Sequence, residues 1–219
     1  MATGGFEPES VRIAEKIRTE IIDGARPPGS KLVERDLALD LGVSRLPVRD
    51  AIKTLETEGM VRLRPRSWAV VREFTATDIA DLQEVRVGLE SMTFRLAARR
   101  HTREGLERLR EIVQAELAAA QTGDGAAARR AGAEFHECVN QLAGNDLLLE
   151  LHGVLSARMR WLLVQHDDLQ AIGREHQELL EAISVRDEDR VALLVSHHLA
   201  TSKRSMARLT ADPSAANLS

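Results

Sequence analysis

The sequence has no tyrosine, two tryptophans and four phenylalanines, so aromatics make up only 3% of its 219 residues. Its core must therefore rest on Leu, Val, Ile and Ala. The single cysteine, Cys138, excludes an internal disulfide and fits a reducing cytoplasm. Proline is scarce, with six residues, and β-branched runs are short, while Ala, Leu, Glu and Arg are plentiful; that balance favours helices. No uncharged apolar stretch approaches the roughly 20 residues of a membrane span. Met1–Ser10 lacks the apolar segment of a secretory signal, so a cytoplasmic protein without a membrane partner is expected. A glycine-rich phosphate loop, a Ser/His/Asp order, paired zinc cysteines and an internal repeat are also missing.

With 43% hydrophobic and 29% charged residues, the chain reads as globular, with room for one large domain or two small ones. Its net charge of −4 argues against bulk polyanion binding. The distribution says more. Residues 1–74 carry 13 Lys/Arg and 12 Asp/Glu, whereas 75–219 carry 17 and 22. Between Gly42 and Arg72, seven cations face three acids. A basic patch on an acidic molecule suggests one placed contact with phosphate, the remaining surface repelling it.

That patch coincides with a turn and a helix. Gly42 stops a short helix predicted over Glu34–Leu41, Ser44 can cap the next, and Gly59 ends it. Within the helix, Arg45, Arg49 and Lys53 stand four apart and so share one edge, while Leu46, Val48, Ile52 and Leu55 are expected to face a core. A helix entered from a tight turn and cationic on its exposed side is how a helix-turn-helix reaches a major groove. Met60–Arg64 and Trp68–Arg72 then read as two strands around Pro65-Arg66-Ser67, a hairpin with four arginines and no acid from Val61 to Arg72. Such a wing suits phosphates or a minor groove.

Upstream, Val11, Ile13, Ala14, Ile17, Ile21 and Ile22 form a helical stripe ended by Asp23-Gly24, and residues 1–8 read as loose. Downstream, Thr75-Ala76-Thr77-Asp78 resembles a capping box, which sets the domains at 1–74 and 75–219. The second domain reads as helix throughout. Ile79, Leu82, Val85, Leu89, Met92 and Leu96 make one stripe, and Leu106, Leu109, Ile112, Val113 and Leu117 a second. Helices follow over Ala126–Ala143, Leu147–Val164, Asp168–Ser184 and Asp187–Leu209, with Thr210–Ser219 as a disordered tail.

Several polar residues fall on stripes that should be core. His136, His176 and His198 do so on three different helices. Each is either a hydrogen-bonded core histidine or one ligand of a divalent-metal site shared between facing helices. Arg86 lies between Leu82, Val85 and Leu89; it either pairs with Glu90, four residues on, or forks a carboxylate or phosphate effector. Asn140, four after His136, could add a polar contact to the same cavity. A three-histidine metalloenzyme is the rival from another class, although no general base is evident beside the histidines.

Residues 31–71, KLVERDLALDLGVSRLPVRDAIKTLETEGMVRLRPRSWAVV, strongly resemble the winged helix of the GntR family of bacterial transcription regulators. The family pattern is L-x-E-x-x-L-A-x-x-L-G-V-S-R-T-P-V-R-x-A-L-x-x-L, then a glycine and a basic wing. EVRVGLESMTFRLAARR, FHECVNQLAGN, EHQELLEAI and a final HHL look like the FadR-type C-terminal domain of its FCD branch. The resemblance implies a mostly α protein, with a winged helix-turn-helix before an all-helical FCD-type bundle. It also implies a homodimeric repressor or dual regulator on a pseudo-palindromic operator, controlled by a small effector, expected to be a carboxylate. Arg35, Ser44, Arg45 and Arg49 would contact DNA, with Arg64, Arg66 and Ser67 from the wing. Leu46 stands where the pattern has Thr, which alters the base preference expected there. Many FCD domains hold a metal with one Asp and three His. The histidines match His136, His176 and His198, but the Asp position, four before the first, is Gly132. Three histidines can still take Zn²⁺ or Ni²⁺, with water or an effector carboxylate completing the shell. A metal-free regulator taking a larger apolar acid is the alternative.

Overall fold

The computed structural model describes residues 8–65, 68–164 and 168–211, with side chains to residue 207. The chain divides into two compact units, the first ending at Thr75 and including Leu155–Arg158 from within a later helix, the second made of the remainder from Ala76 on. The expectations of loose residues 1–7, of a disordered tail past Ala211, and of wing contacts at Arg66 and Ser67 lie outside the described residues.

The first unit runs α1 (Glu9–Ile22), β1 (Lys31–Val33), α2 (Glu34–Leu41), α3 (Arg45–Thr57), β2 (Val61–Arg64) and β3 (Trp68–Val71). Ile13, Ala14, Ile17 and Ile21 of α1 are buried, as are Val48, Ala51, Ile52 and Leu55 of α3, on which α1 packs. Val11, expected in the stripe, is exposed in the first turn of α1. Gly42 takes φ +66°, a left-handed turn that a side chain would strain, and this lets α3 start soon after. Pro47 falls in the first turn of α3, where its missing N–H costs no helix bond. Ser44 occupies the N-cap position, but its side chain makes no capping bond. The hairpin is present, with Leu63 opposite Ala69 and Arg64 opposite Trp68. Strand β1 is an addition to the expected elements; it pairs antiparallel with β3, giving the sheet order β1-β3-β2. Three residues are too few to show a strand period, yet Leu32 is buried within the unit.

The second unit is a bundle of α4 (Ala76–Arg100), α5 (Arg103–Thr122), α6 (Gly125–Leu142), α7 (Asp146–Leu163), α8 (Leu169–Ser184) and α9 (Glu188–Ala211). Helix α9 therefore continues through Thr210 and Ala211, which the sequence assigns to the tail. Five helix starts are capped by their own side chains: Thr102 accepts from Gly105 N–H, Asp124 from Ala127, Asn145 from Leu148, Asp168 from Ala171 and Asp187 from Arg190. Each such cap stabilises by about 1 kcal/mol. The apolar core joins Phe94, Leu109, Val113, Phe135, Val139, Leu179, Ile183 and Val195 from five helices.

Helix α4 departs from expectation. Val85 and Met92, two members of its apolar stripe, are exposed. Its buried face instead carries Gln83, Arg86, Glu90 and Thr93 beside Leu82, Phe94, Ala97 and Ala98. The side turned inward is thus half polar, and those groups must find partners inside the bundle.

Candidate DNA-contacting helix and three-histidine cluster

In the first unit, α3 presents Arg45, Arg49 and Lys53 along one exposed edge. Glu34, buried at the start of α2, organises two of them. Arg49 donates through Nε to Glu34 Oε1 at 3.1 Å and through Nη2 to Oε2 at 3.0 Å, and Arg45 lies 3.6 Å from the same oxygen. Arg49's hydrogen bonds hold the Glu34 carboxyl below the usual carboxylate range, and Glu34 raises Arg49 in return. Lys53 pairs with Asp50 at 3.5 Å. A groove between α3 and the hairpin is lined by Glu34, Arg49, Ile52, Lys53, Leu63, Arg64 and Trp68, so cations of helix and hairpin share one concavity. Arg35 is exposed and bonded to its neighbour Asp36. Leu46 is corrected: it is 65% exposed at the start of α3 rather than facing the core, because the first turn of the helix has nothing packed over that side.

In the second unit, His136 (α6), His176 (α8) and His198 (α9) come together, all buried, with ligand-capable atoms within 4.8 Å of one another. Each has a carboxylate on its Nδ1 side. His176 Nδ1 donates to Glu116 Oε2 at 2.7 Å, and His198 Nδ1 to Glu175 Oε2 at 2.8 Å. His136 Nδ1 lies 3.2 Å from Glu90 Oε1, off the line of a hydrogen bond. His136 Nε2, His176 Nε2 and Glu90 Oε2 are buried without a hydrogen-bond partner among the described residues. His198 Nε2 faces Arg86 Nη2 at 3.3 Å. Burial pushes the His136 imidazole below its ordinary value, despite Glu90 beside it. Burial alone would raise Glu90, but Arg86 and His136 outweigh it and hold the carboxyl well below the usual range.

Arg86 is fully buried. Its Nε donates to Glu90 Oε1 at 2.8 Å, Nη1 donates to Ser202 Oγ, and Nη2 faces His198, so the expected ion pair with Glu90 is present. A cleft of about 250 Å³, open water included, borders the cluster, lined by Glu116, Arg129, Gly132, His136, Leu163, Ile172 and His176 among others. Neither Arg86 nor the half-buried Asn140 lines it. His197, next in sequence to His198, points out and is exposed. The carboxylates are what sequence reasoning missed. Glu116 does carry a legible signal, standing four and three residues after Ile112 and Val113 on an apolar stripe; Glu175 carries none.

The donor set suits a divalent cation. Three imidazoles match zinc- or nickel-type ligation, and two of their buried nitrogens, His136 Nε2 and His176 Nε2, have no hydrogen-bond partner among the described residues, while His198 Nε2 accepts from Arg86. Counted as formal charges, Glu90, Glu116 and Glu175 against Arg86 and the cleft-lining Arg129 leave −1 around neutral histidines.

Comparison with known proteins places both units. The family described as bacterial regulatory proteins, gntR family, matches residues 9–71, and the FCD domain matches residues 81–201. The chain belongs to the GntR family, with an FCD domain. It is 31% identical over 177 residues to an Nta operon transcriptional regulator of Aminobacter aminovorans, covering 78% of this chain and 82% of the relative. It is 29% identical over 189 residues to a gluconate operon transcriptional repressor of Bacillus licheniformis, covering 82% and 77%. Among solved structures, E. coli McbR/YncC superposes with a TM-score of 0.81 at 21% identity, over 94% of this chain and 98% of that one. This GntR-family protein is therefore a DNA-binding transcription regulator. Its family and relatives are regulators, which removes the three-histidine metalloenzyme reading.

Proposed function

We propose that this regulator is a homodimeric, cytoplasmic repressor. It reads a pseudo-palindromic operator through Arg35, Ser44, Arg45, Leu46 and Arg49, with wing contacts from Arg64, Arg66 and Ser67. The observation that carries this is the Glu34 clamp: a buried carboxylate holds Arg49 and Arg45 at the exposed edge of α3, so their side chains are partly ordered before DNA arrives. The Ser44 hydroxyl, which caps nothing, stands at the N-terminus of the same helix, where a phosphate is favoured. Exposed Leu147, Leu151 and Val154 on α7, spaced by four and three, offer an apolar stripe for a second copy. The repressor role follows relatives named for repression of gluconate and D-xylose utilisation operons.

Control is assigned to the histidine cluster. His136, His176 and His198 would hold Zn²⁺ or Ni²⁺ through their Nε2 atoms, His198 exchanging its contact with Arg86 for the ion, in a pocket whose formal charge complements a dication. The bound ion would supply a Lewis-acidic position for an effector carboxylate. The chain's own residues do the rest. Glu116 and Glu175 orient two imidazoles, Arg86 neutralises Glu90, and Arg129 lines the cleft where a small acid would enter. The enclosed space beside the cluster is only about 10 Å³, room for about one water, so an acid would enter by displacing lining side chains, and a small acid displaces fewer of them than a large apolar one. To control DNA binding, the effector must favour one arrangement of the protein over another.

Competition binding to the DNA flanking its own gene tests the reading, with scrambled DNA as competitor, at several salt concentrations, with and without Zn²⁺ and small acids. Preference for the natural fragment that an acid abolishes only in metal-loaded protein supports it. Equal affinity for both DNAs under every condition overturns it.

A further inference from the structure

Residue 132 is a glycine in the interior of α6, where glycine costs about 1 kcal/mol relative to alanine. Its φ is not in the left-handed region, so backbone freedom does not account for it. The surroundings do. A Cβ built at Gly132 would lie 2.9 Å from Glu116 Oε1 and 3.8 Å from His176 Cε1. The space a side chain would take is the space the Glu116 carboxylate uses.

Glu116 reaches in from α5 and is 2% exposed. Its bond to His176 Nδ1 is the one hydrogen bond its side chain shows among the described residues. A carboxylate can only accept, so the Nδ1 atom it faces carries the proton, and in the neutral imidazole Nε2 is then left bare. That Nε2 is buried and has no hydrogen-bond partner among the described residues. The ring plane is held separately, by Phe135 stacked on it at 4.0 Å between centroids and 16° between planes. One neighbour thus fixes the plane of the imidazole and another its tautomer.

We infer that Glu116 is the positioning residue of His176: admitted by the missing side chain at Gly132, it fixes the Nδ1–H tautomer and keeps Nε2 available toward His136 and His198. As a statement about metal binding, this rests on the three-histidine reading above. As a statement about the tautomer, it does not. A carboxylate behind a ligating histidine raises its basicity and fixes its orientation. In this chain that carboxylate comes from α5, and the glycine on α6 makes room for it.

The test uses the full-length protein with ¹⁵N-labelled histidine, first free of metal and then titrated with Zn²⁺ against a chromophoric chelator. Ring-nitrogen shifts of wild type should show His176 as the Nδ1–H form. Glu116→Met removes the acceptor while filling the space; the proton should move to Nε2 or the tautomers should mix, and zinc affinity should fall about 10–100-fold. Glu116→Gln, whose carbonyl can still accept, should keep the tautomer and most of the affinity. Gly132→Val, whose branched side chain takes the space of the carboxylate, should shift the nitrogens in the same direction as Glu116→Met and serves as the reading if that variant does not fold. Unchanged His176 shifts in the folded Glu116→Met protein, or in Gly132→Val where it replaces that variant, overturn the inference. A wild type whose zinc uptake is no greater than that of His136→Ala overturns the metal reading, while the nitrogen shifts still decide the role of Glu116.

Discussion

Arg49 and Glu34 meet at 3.0 Å in the first unit, and Arg86 and Glu90 meet at 2.8 Å in the second. The chemistry is the same and the surroundings are opposite. The Arg49 side chain keeps 45% of its surface exposed, while that of Arg86 keeps none. Water screens the first pair, so Arg49 can leave Glu34 for a phosphate or a base at little cost. The second pair has no water to fall back on, and removing either member strands a buried charge. One pair can open toward solvent; the other is part of the frame that supports three histidines. Burial, rather than pairing distance, separates an arginine able to change partners from a structural one.

Breaking the buried pair should have the largest effect. Arg86→Ala leaves Glu90 without its cation and should destabilise the second unit by roughly 3–5 kcal/mol. Urea denaturation followed by circular dichroism measures it; a loss below about 1 kcal/mol would mean that water reaches Glu90. Breaking the exposed pair should show elsewhere. Arg49→Ala should melt close to wild type but bind operator more weakly by about 1–3 kcal/mol, or roughly 5- to 150-fold. If affinity for random DNA falls equally, Arg49 contacts phosphate and not a base.

Acid should act on the two units differently. Burial holds His136 below its ordinary value, so the unfolded chain takes up that proton more readily than the folded one. In metal-free protein, stability is full above about pH 6.5 and drains as pH falls through the folded value, at up to about 1.4 kcal/mol per pH unit for one proton. Glu90, also depressed, adds a loss in the same direction at lower pH. A urea midpoint that stays level from about pH 8 to 5 would show His136 to be accessible to water. Glu34→Gln should have the smallest effect, below about 1 kcal/mol near neutral pH. Because Arg49 lowers the Glu34 carboxyl, its contribution exists above the unfolded carboxylate range and disappears as pH falls through the folded value. Wild type and Glu34→Gln should therefore converge at acid pH, and a constant gap between them would deny the clamp.

The two units also differ in how far apolar periodicity can be trusted. In α3 it finds the buried Val48, Ile52 and Leu55 and misplaces Leu46, which sits in the first turn where the helix face is still open. In α4 it selects a side that includes exposed Val85 and Met92, because the buried side holds Arg86, Glu90, Gln83 and Thr93. Hydrophobicity marks the inward face only when that face is apolar. Arg86 is placed correctly inside, but by a stripe whose own members partly face out.

Helix order, the turn at Gly42, the stop at Gly59 and the basic edge of α3 are legible in the order of residues, since capping, left-handed turns and helical spacing act within a few positions of the chain. The inward histidines are legible for the same reason. Their partners are not. Glu116 stands 60 residues from His176, and Glu175 stands 23 from His198, so packing of the helices decides which carboxylate faces which imidazole. Gly132 illustrates the division: in the sequence it is a ligand missing from a motif, and in the fold it is the gap through which another helix delivers a carboxylate.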